Sequence, residues 1–334
     1  MKILVTGGLG YIGSHTITKL LEKNYEVICI DNLVNSDLQT KRNIEKITGK
    51  KFQFHKIDIT NKDKLKNVLK KYDNIKYIIH FASYIYVPES VRYPYKYYEN
   101  NLISLLNIIE VAKKNKSGLI FSSSSTVYGE NTNFPLTEDM PFGMPNSPYG
   151  KTKKICEEIL EDISKEANFS SVSLRYFNPI GAHESCLLGE RSVKNPTHIL
   201  PYITQTAIGK KLFLTIFGNN YKTKDGTCVR DYIHVDDVAE AHIKCIPFLK
   251  KNKKKYHKFN IGFGKGISIL ELIKQFKKST GITILYKFGK RREGDVAEIW
   301  SNCKKAKKFL GWKPKHNLAE MILSSWNREK KLKK

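Results

Sequence analysis

Ile3-Leu4-Val5-Thr6-Gly7-Gly8-Leu9-Gly10-Tyr11-Ile12-Gly13 opens the chain as an apolar strand, a glycine turn and a helix start. Gly7, Gly10 and Gly13 form a G-x-x-G-x-x-G pattern. Glycine permits the tight turn, lets backbone amides approach a pyrophosphate, and allows close packing of helix on strand. The helix N-terminus adds a dipole that favours an anion. Asp31 ends a second apolar run, Glu26–Ile30, eighteen residues after Gly13. Its carboxylate can accept the two ribose hydroxyls and repels a 2′-phosphate, which points to NAD rather than NADP. Met1 to Asp31 is thus the βαβ opening of a dinucleotide-binding Rossmann sheet.

Outward from this loop the first half alternates short apolar runs with helical patterns, the signature of parallel βαβ units. Strands are expected at Lys2–Thr6, Glu26–Ile30, Phe52–Ile57, Tyr77–Phe81, Gly118–Ser122 and Ser171–Arg175. Helices are expected at about Ile12–Lys23, Lys62–Lys71, Tyr97–Asn115 and Tyr149–Glu166. The fold class is α/β: a doubly wound parallel sheet with a smaller α/β C-terminal portion. Residues 1–176 form the nucleotide-binding domain, to which a segment near 230–262 returns, and 177–334 form mainly the substrate-binding domain. The loops Phe177–Pro201, Gly218–Thr227 and Phe288–Asp295 separate shorter elements there. A doubly wound sheet binds ligands beyond the carboxyl ends of its strands. Asp58 stands at such an end, as an acceptor for an adenine amino group or as the N-cap of the segment near Thr60; both readings stay open.

Two further stretches carry chemistry. Tyr149-Gly150-Lys151-Thr152-Lys153 places Tyr149 and Lys153 four apart, on one helical face. A phenol of ordinary pKa, about 10, is a poor base at neutral pH. A nearby ammonium and a cationic nicotinamide ring favour its phenolate, so Tyr149 is the candidate base and Lys153 its perturber. The serine run Ser122–Ser125 ends the fifth strand, where a hydroxyl can bond a reacting alkoxide. Several of these serines are equally suited to satisfying local backbone groups.

Composition bounds the function class. No apolar run approaches the roughly 20 residues that span a bilayer, and Met1-Lys2 leads straight into the first strand, so no signal peptide is expected. The six cysteines are scattered without CxxC or other metal-type spacing, so no metal site is expected, and they suit a reducing cytosol. The 58 Lys+Arg against 32 Asp+Glu give +26. Lysine is spread along the whole chain, which reads as a solvated surface; specific nucleic-acid readers favour localised arginine stripes. A nucleic-acid or membrane partner is therefore not expected.

Taken together, Gly7–Gly13, Ser124, Tyr149 and Lys153 resemble the extended short-chain dehydrogenase/reductase superfamily, and within it the UDP-glucose 4-epimerase branch. The stretches Val5–His15, Phe121–Gly129, Ser147–Lys153, Arg175–His183, Asp225–Val235 and Arg291–Asp295 carry the likeness, which covers essentially the whole chain. The resemblance implies a resident NAD reduced and reoxidised in each turnover, with a 4-keto sugar between. It implies Tyr149 as base, Ser124 assisting the proton, and Lys153 orienting the cofactor ribose and holding Tyr149 ionised. Gly7, Gly10, Tyr11, Ile12 and Gly13 match cofactor contacts, as do Asp31, Asn32, Leu33, Asn35 and Ser36. So do Asp58, Ile59, Phe81, Ala82, Asn100, Ser122, Tyr149, Lys153 and Phe177. For the UDP-sugar the matches are Ser124, Tyr149, Asn178, His198, Ile199, Phe217, Arg230, Arg292, Asp295 and Ile299. On physics alone Arg230 and Arg292 suit a diphosphate clamp, or else a solvated surface.

Three positions depart from the pattern. Ile85 stands where a lysine often meets the cofactor, and His198 where an asparagine often meets the substrate. Ile299 replaces a tyrosine, which predicts room for a larger 2-substituent and some activity on UDP-N-acetylglucosamine. UDP-glucuronate stays open as another substrate. A dehydratase is disfavoured because no acidic residue accompanies Ser124-Ser125-Thr126. A non-catalytic NAD sensor or polyanion binder is the alternative of another class, and the presence of Tyr149 and Lys153 argues against it. The family likeness further implies a homodimer, with the stripe Leu102, Leu105, Leu106, Ile109 and Ala112 facing either a partner or the sheet.

Overall fold

The computed structural model describes residues 1–131, 133–165, 169–190, 196, 198–252, 255–292 and 294–333. Glu166, the expected end of one helix, and Glu293, within Arg291–Asp295, lie outside them. The strands are β1 (Lys2–Thr6), β2 (Glu26–Asp31), β3 (Gln53–Lys56), β4 (Ile75–His80), β5 (Gly118–Ser124), β6 (Ser171–Tyr176) and β7 (Asn178–Ile180). Then follow β8 (Leu214–Phe217), β9 (Val229–His234), β10 (Tyr256–Ile261), β11 (Gly266–Ser268), β12 (Tyr286–Gly289) and β13 (Glu298–Ile299). Seven of these form the main sheet in the order β10-β6-β5-β4-β1-β2-β3, parallel throughout.

Strand alternation divides the apolar side chains between two cores. Ile3 and Val5 of β1 face one cluster, with Ile17 and Val238 from the helices Tyr11–Glu22 and Val235–Lys251. Leu4 faces the other, with Leu105, Ile109 and Cys156 from the helices Pro94–Asn115 and Pro148–Ile163. Burial on both faces is why these strands read as unbroken apolar runs. The strand order reverses between β1 and β4, so a crevice opens beyond their carboxyl ends. The Gly7–Gly13 turn follows β1 and Phe81–Tyr84 follows β4, at the two lips of that crevice.

Three elements differ from the sequence pattern for definite reasons. The helix Leu38–Thr48 was not expected, because it buries only Ile44 and lacks an apolar stripe. Its caps define it instead: Asp37 accepts from the Thr40 amide, and Gly49 ends it at φ 66°. Asn178–Ile180, expected as loop, forms β7 by pairing with β9. The chain returns to the main sheet through Val235–Lys251 and β10, whereas β9 joins β7, β11 and β13 in a smaller sheet. The stripe on Pro94–Asn115 splits: Leu105, Ile109 and Ala112 are buried against the sheet, and Leu106 points outward. A third core, with Ile203, Phe276 and Trp326, closes the C-terminal portion.

The glycine turn is close-packed. A Cβ on Gly13 would stand 2.4 Å from the Gly7 carbonyl oxygen and 2.8 Å from the Gly8 Cα. Gly13→Ala is therefore expected to cost about 1–3 kcal/mol, read as a lower urea midpoint. An unchanged midpoint would show that the turn yields freely.

Candidate functional site

The reacting groups meet where β5 ends and the helix Pro148–Ile163 begins. Ser147 caps that helix by accepting from the Gly150 amide at 3.2 Å, and Pro148 occupies its first turn. Gly150 lets the helix start lie against Thr126, in the turn after β5; a Cβ there would be 3.3 Å from the Thr126 Cβ and 2.8 Å from that of Pro145. The Tyr149 hydroxyl thereby reaches Ser124. Asn101 donates to the Thr152 hydroxyl at 3.0 Å and to the Tyr84 carbonyl at 3.1 Å, fixing the helix to the β4 lip.

Lys153 is buried. Its Nζ donates to the Ser122 carbonyl at 2.8 Å and to Ser83 Oγ at 3.1 Å, and lies 5.8 Å from the centre of the Tyr149 ring. Burial pushes Lys153 down to about 8, against the opposing pull of Cys156 and Glu157. Burial pushes Tyr149 up to about 12, and the Ser124 hydrogen bond lowers it only in part. The protein's own groups therefore hold Tyr149 as a neutral phenol at neutral pH. The sequence reading asks for two cations beside the phenol, the Lys153 ammonium and a nicotinamide ring, and this balance is that of the protein's own groups without the ring.

The crevice brings together Gly7, Gly10, Tyr11, Ile12, Gly13, Asp31, Asn32, Asn35 and Ser36 on one side. Asp58, Ile59, Phe81, Ala82, Asn100 and Ser122 line the other. Gly7, at φ 66°, sits so close to the β4 lip that a Cβ would stand 2.6 Å from the Ala82 nitrogen. The Asp31 carboxylate is oriented by the amides of Leu9 and Leu33, each at 3.0 Å, and by Ser36 Oγ at 2.8 Å. A carboxylate offers about four acceptor positions, and three are taken by these groups. A glycine cradle and an oriented acidic acceptor fit a dinucleotide without a 2′-phosphate. Asp58 is not the N-cap; Asn61 is, accepting from the Lys64 amide at 2.9 Å. Burial raises the Asp58 carboxyl, but hydrogen bonds from Thr60 and Asn32 outweigh it and hold it low.

A second cavity of about 530 Å³ adjoins the crevice. Asn178, His198, Ile199, Phe217, Arg230, Arg292 and Asp295 line it, and His198 lines the crevice as well. Arg230 is braced by Asp295 at 3.3 Å and by the Val229 carbonyl at 2.9 Å. The Arg292 guanidinium lies 4.0 Å from the centre of the Phe217 ring. Burial lowers the His198 imidazole, but Glu190, 3.0 Å away, outweighs it and raises it overall.

Six expected contacts stand outside both linings: Ser124, Tyr149 and Lys153, which meet at the end of β5, and three others. Leu33 packs against the main core, at φ 61°. Phe177 and Ile299 are buried together with Val127, Tyr128 and Leu136. Ile299 is absent from the cavity lining, as are the reacting Ser124 and Tyr149. Sequence reasoning missed Tyr202, Phe213, Cys228 and Tyr232 in the cavity, and Ser83, Tyr84 and Glu190 in the crevice. One signal was legible: Lys211–Phe217 is an apolar run whose Leu212 stays 85% exposed, at the cavity mouth. Ile85, which cannot supply a charge, does line the crevice.

Sheet, glycine turn and the Ser124–Tyr149–Lys153 grouping define an extended short-chain dehydrogenase/reductase. The family described as GDP-mannose 4,6 dehydratase matches residues 4–324. UDP-glucose 4-epimerase of Bacillus subtilis is 45% identical over 328 residues, covering 98% of this chain and 96% of its own length. That of Dictyostelium discoideum is 44% identical over 327 residues, covering 97% and 94%. The crystal structure of the Bifidobacterium longum UDP-glucose 4-epimerase, in complex with NAD+ and UDP, is 41% identical. It superposes with a TM-score of 0.95 over 99% of this chain and 98% of that one. The chain belongs to the UDP-glucose 4-epimerase family.

An ordinary tyrosine is half ionised near pH 10 (roughly the free phenol value). In a difference absorbance titration of NAD-free wild type against NAD-free Tyr149→Phe, no phenolate from Tyr149 is expected up to that pH. A phenolate at neutral pH would refute the balance described above.

Proposed function

We propose that this protein interconverts UDP-galactose and UDP-glucose through a 4-keto sugar, using NAD that stays bound. The observation that carries this reading is the Ser124–Tyr149–Lys153 grouping, with Lys153 buried, beside a glycine-turn crevice whose neighbouring cavity shares His198. The names of the relatives, and the NAD+ and UDP of the Bifidobacterium structure, support it.

When bound, NAD supplies a reversible acceptor for the hydrogen and electron pair removed from C4 of the sugar. The Gly7–Gly13 turn and its helix N-terminus receive the diphosphate of the dinucleotide, and Asp31 a ribose hydroxyl. Tyr149 takes the proton of the 4-hydroxyl and later returns it, while Ser124 bonds the reacting oxygen. Lys153 contributes positive charge beside the phenol. The protein alone leaves Tyr149 protonated, so its ionisation would need the further positive charge that an oxidised nicotinamide ring would bring beside the phenol. Arg230 and Arg292 grip the substrate diphosphate, braced by Asp295 and Phe217. With that end held, the keto sugar turns about its link and is reduced on its other face.

Glucose and galactose are favoured on the strength of the relatives' names, and Ile299 in place of a tyrosine leaves UDP-N-acetylglucosamine as a further substrate. Elimination is disfavoured by the absence of an acid beside Ser124-Ser125-Thr126. A cytosolic location accords with six unpaired cysteines and with no membrane-spanning helix among the described residues. A homodimer through Pro94–Asn115 and its neighbour helix accords with Tyr95, Ile103 and Leu106 standing 74%, 39% and 48% exposed on its outer face.

Purified protein incubated with UDP-galactose and no added cofactor is expected to form UDP-glucose, and to release NAD on denaturation. Tyr149→Phe keeps the NAD and loses on the order of 10²–10⁴ in kcat. Neither conversion nor released NAD would overturn the reading. Sedimentation at micromolar concentration is expected to give a dimer, and Leu106→Glu a monomer; a wild-type monomer removes the dimer.

A further inference from the structure

Behind the reacting groups lies a buried network that the mechanism does not use. Glu157 is fully buried, one helical turn beyond Lys153 and two beyond Tyr149 on the same face. Ser123 Oγ donates to Glu157 Oε1. Arg175 donates Nε to Oε1 at 3.0 Å and Nη2 to Oε2 at 2.7 Å, and the Tyr256 hydroxyl donates to Oε2 at 2.7 Å. These bonds fill the acceptor positions of the carboxylate.

Register explains why the partners converge. Ser123, Arg175 and Asn260 are cross-strand neighbours on β5, β6 and β10. Arg175 also lies under the Tyr128 ring, 4.8 Å from its centre, and Tyr128 donates to Asn260 at 2.6 Å. Tyr128 ends the turn that begins just after Ser124. Ser123 stands between Ser122, whose carbonyl holds Lys153, and Ser124, which meets Tyr149. One carboxylate thus ties the strand end carrying Ser124 to the helix carrying Tyr149 and Lys153, with adjacent strands as buttress.

We propose that Glu157, paired with Arg175 and held by Ser123 and Tyr256, is a positioning residue that sets the Ser124–Tyr149–Lys153 geometry and places a negative charge one turn from Lys153. The proposal rests on the epimerase reading. Truncating half of a buried pair leaves the other charge uncompensated, so the network also explains how a buried arginine is tolerated beside a buried lysine. Glu157 and Cys156 on its own helix oppose the lowering of Lys153 by burial. His80 on β4 is the other titratable group facing Lys153, and burial pushes it down to about 3, so it is neutral. Tyr149 is a neutral phenol. Removing Glu157 therefore makes Lys153 lose its proton at lower pH.

The test compares wild type with Glu157→Gln, and with Glu157→Gln/Arg175→Met in case the single change fails to fold. All are purified with bound NAD and assayed with UDP-galactose. The folded variant is expected to lose tenfold or more in kcat, with KM for UDP-galactose within twofold. The alkaline limb of its kcat profile moves to lower pH by half a unit or more. A merely structural role lowers the melting temperature and leaves the limb in place; a folded variant with the wild-type limb overturns the proposal. Should neither fold, Ser123→Ala, which keeps both charges paired, is expected to lose at least threefold in kcat, and full retention overturns it. Inactive wild type instead defeats the epimerase reading, so the two failures are told apart.

Discussion

The approach of the first glycine turn to the lip of β4 is the contact on which the rest depends. Gly7 sits where a Cβ would collide with the Ala82 backbone, and its amide donates back to the Ile30 carbonyl at 2.8 Å. That contact joins β1, β2 and β4 at the point where strand order reverses. It sets the width of the crevice and aims the N-terminus of Tyr11–Glu22 across it. Asp31, oriented by the Leu9 amide of the same turn, is placed by the same close packing.

Burial then decides the chemistry. Lys153 is buried and Tyr149 half-buried, and each is pushed toward its neutral form. A phenol poised this way responds to a charge brought beside it, rather than standing ionised in the free protein. The backbone carbonyl of Ser122 and the hydroxyl of Ser83 offset part of the cost of burying Lys153.

The smaller sheet and its helices complete the cleft from far along the chain. Asp231 binds the amides of Phe263, Gly264 and Ser301 at 2.7, 3.1 and 3.0 Å. It thereby anchors β9, and with it Arg230, to the segments around β11 and β13. Burial nonetheless pushes its carboxyl up to about 6, the hydrogen bonds offsetting only part of that rise. Leu106 and Leu105 illustrate how far periodicity reaches: both belong to one apolar stripe, yet only the second faces the sheet. Their difference of one position turns through about a quarter of the helix circumference, which a pattern of apolar residues does not resolve. The helix Leu38–Thr48 was hidden for the opposite reason, having caps without a stripe.

Local rules were enough for the glycine turn, the parallel strands, Asp31 and the pairing of Tyr149 with Lys153, because each is written in residues close in sequence. Tyr and Lys four apart share a helical face whatever surrounds them, and the glycines of a strand–turn–helix have few other uses. The tertiary structure decided what lies between segments distant in sequence. It packed Ile299 and Phe177 with Val127 and Tyr128, gave the N-cap to Asn61 rather than Asp58, and set Glu190 against His198. It also gathered Ser123, Glu157, Arg175 and Tyr256 around one carboxylate. Those outcomes depend on strand register and on burial, quantities that arise only once the sheet has closed.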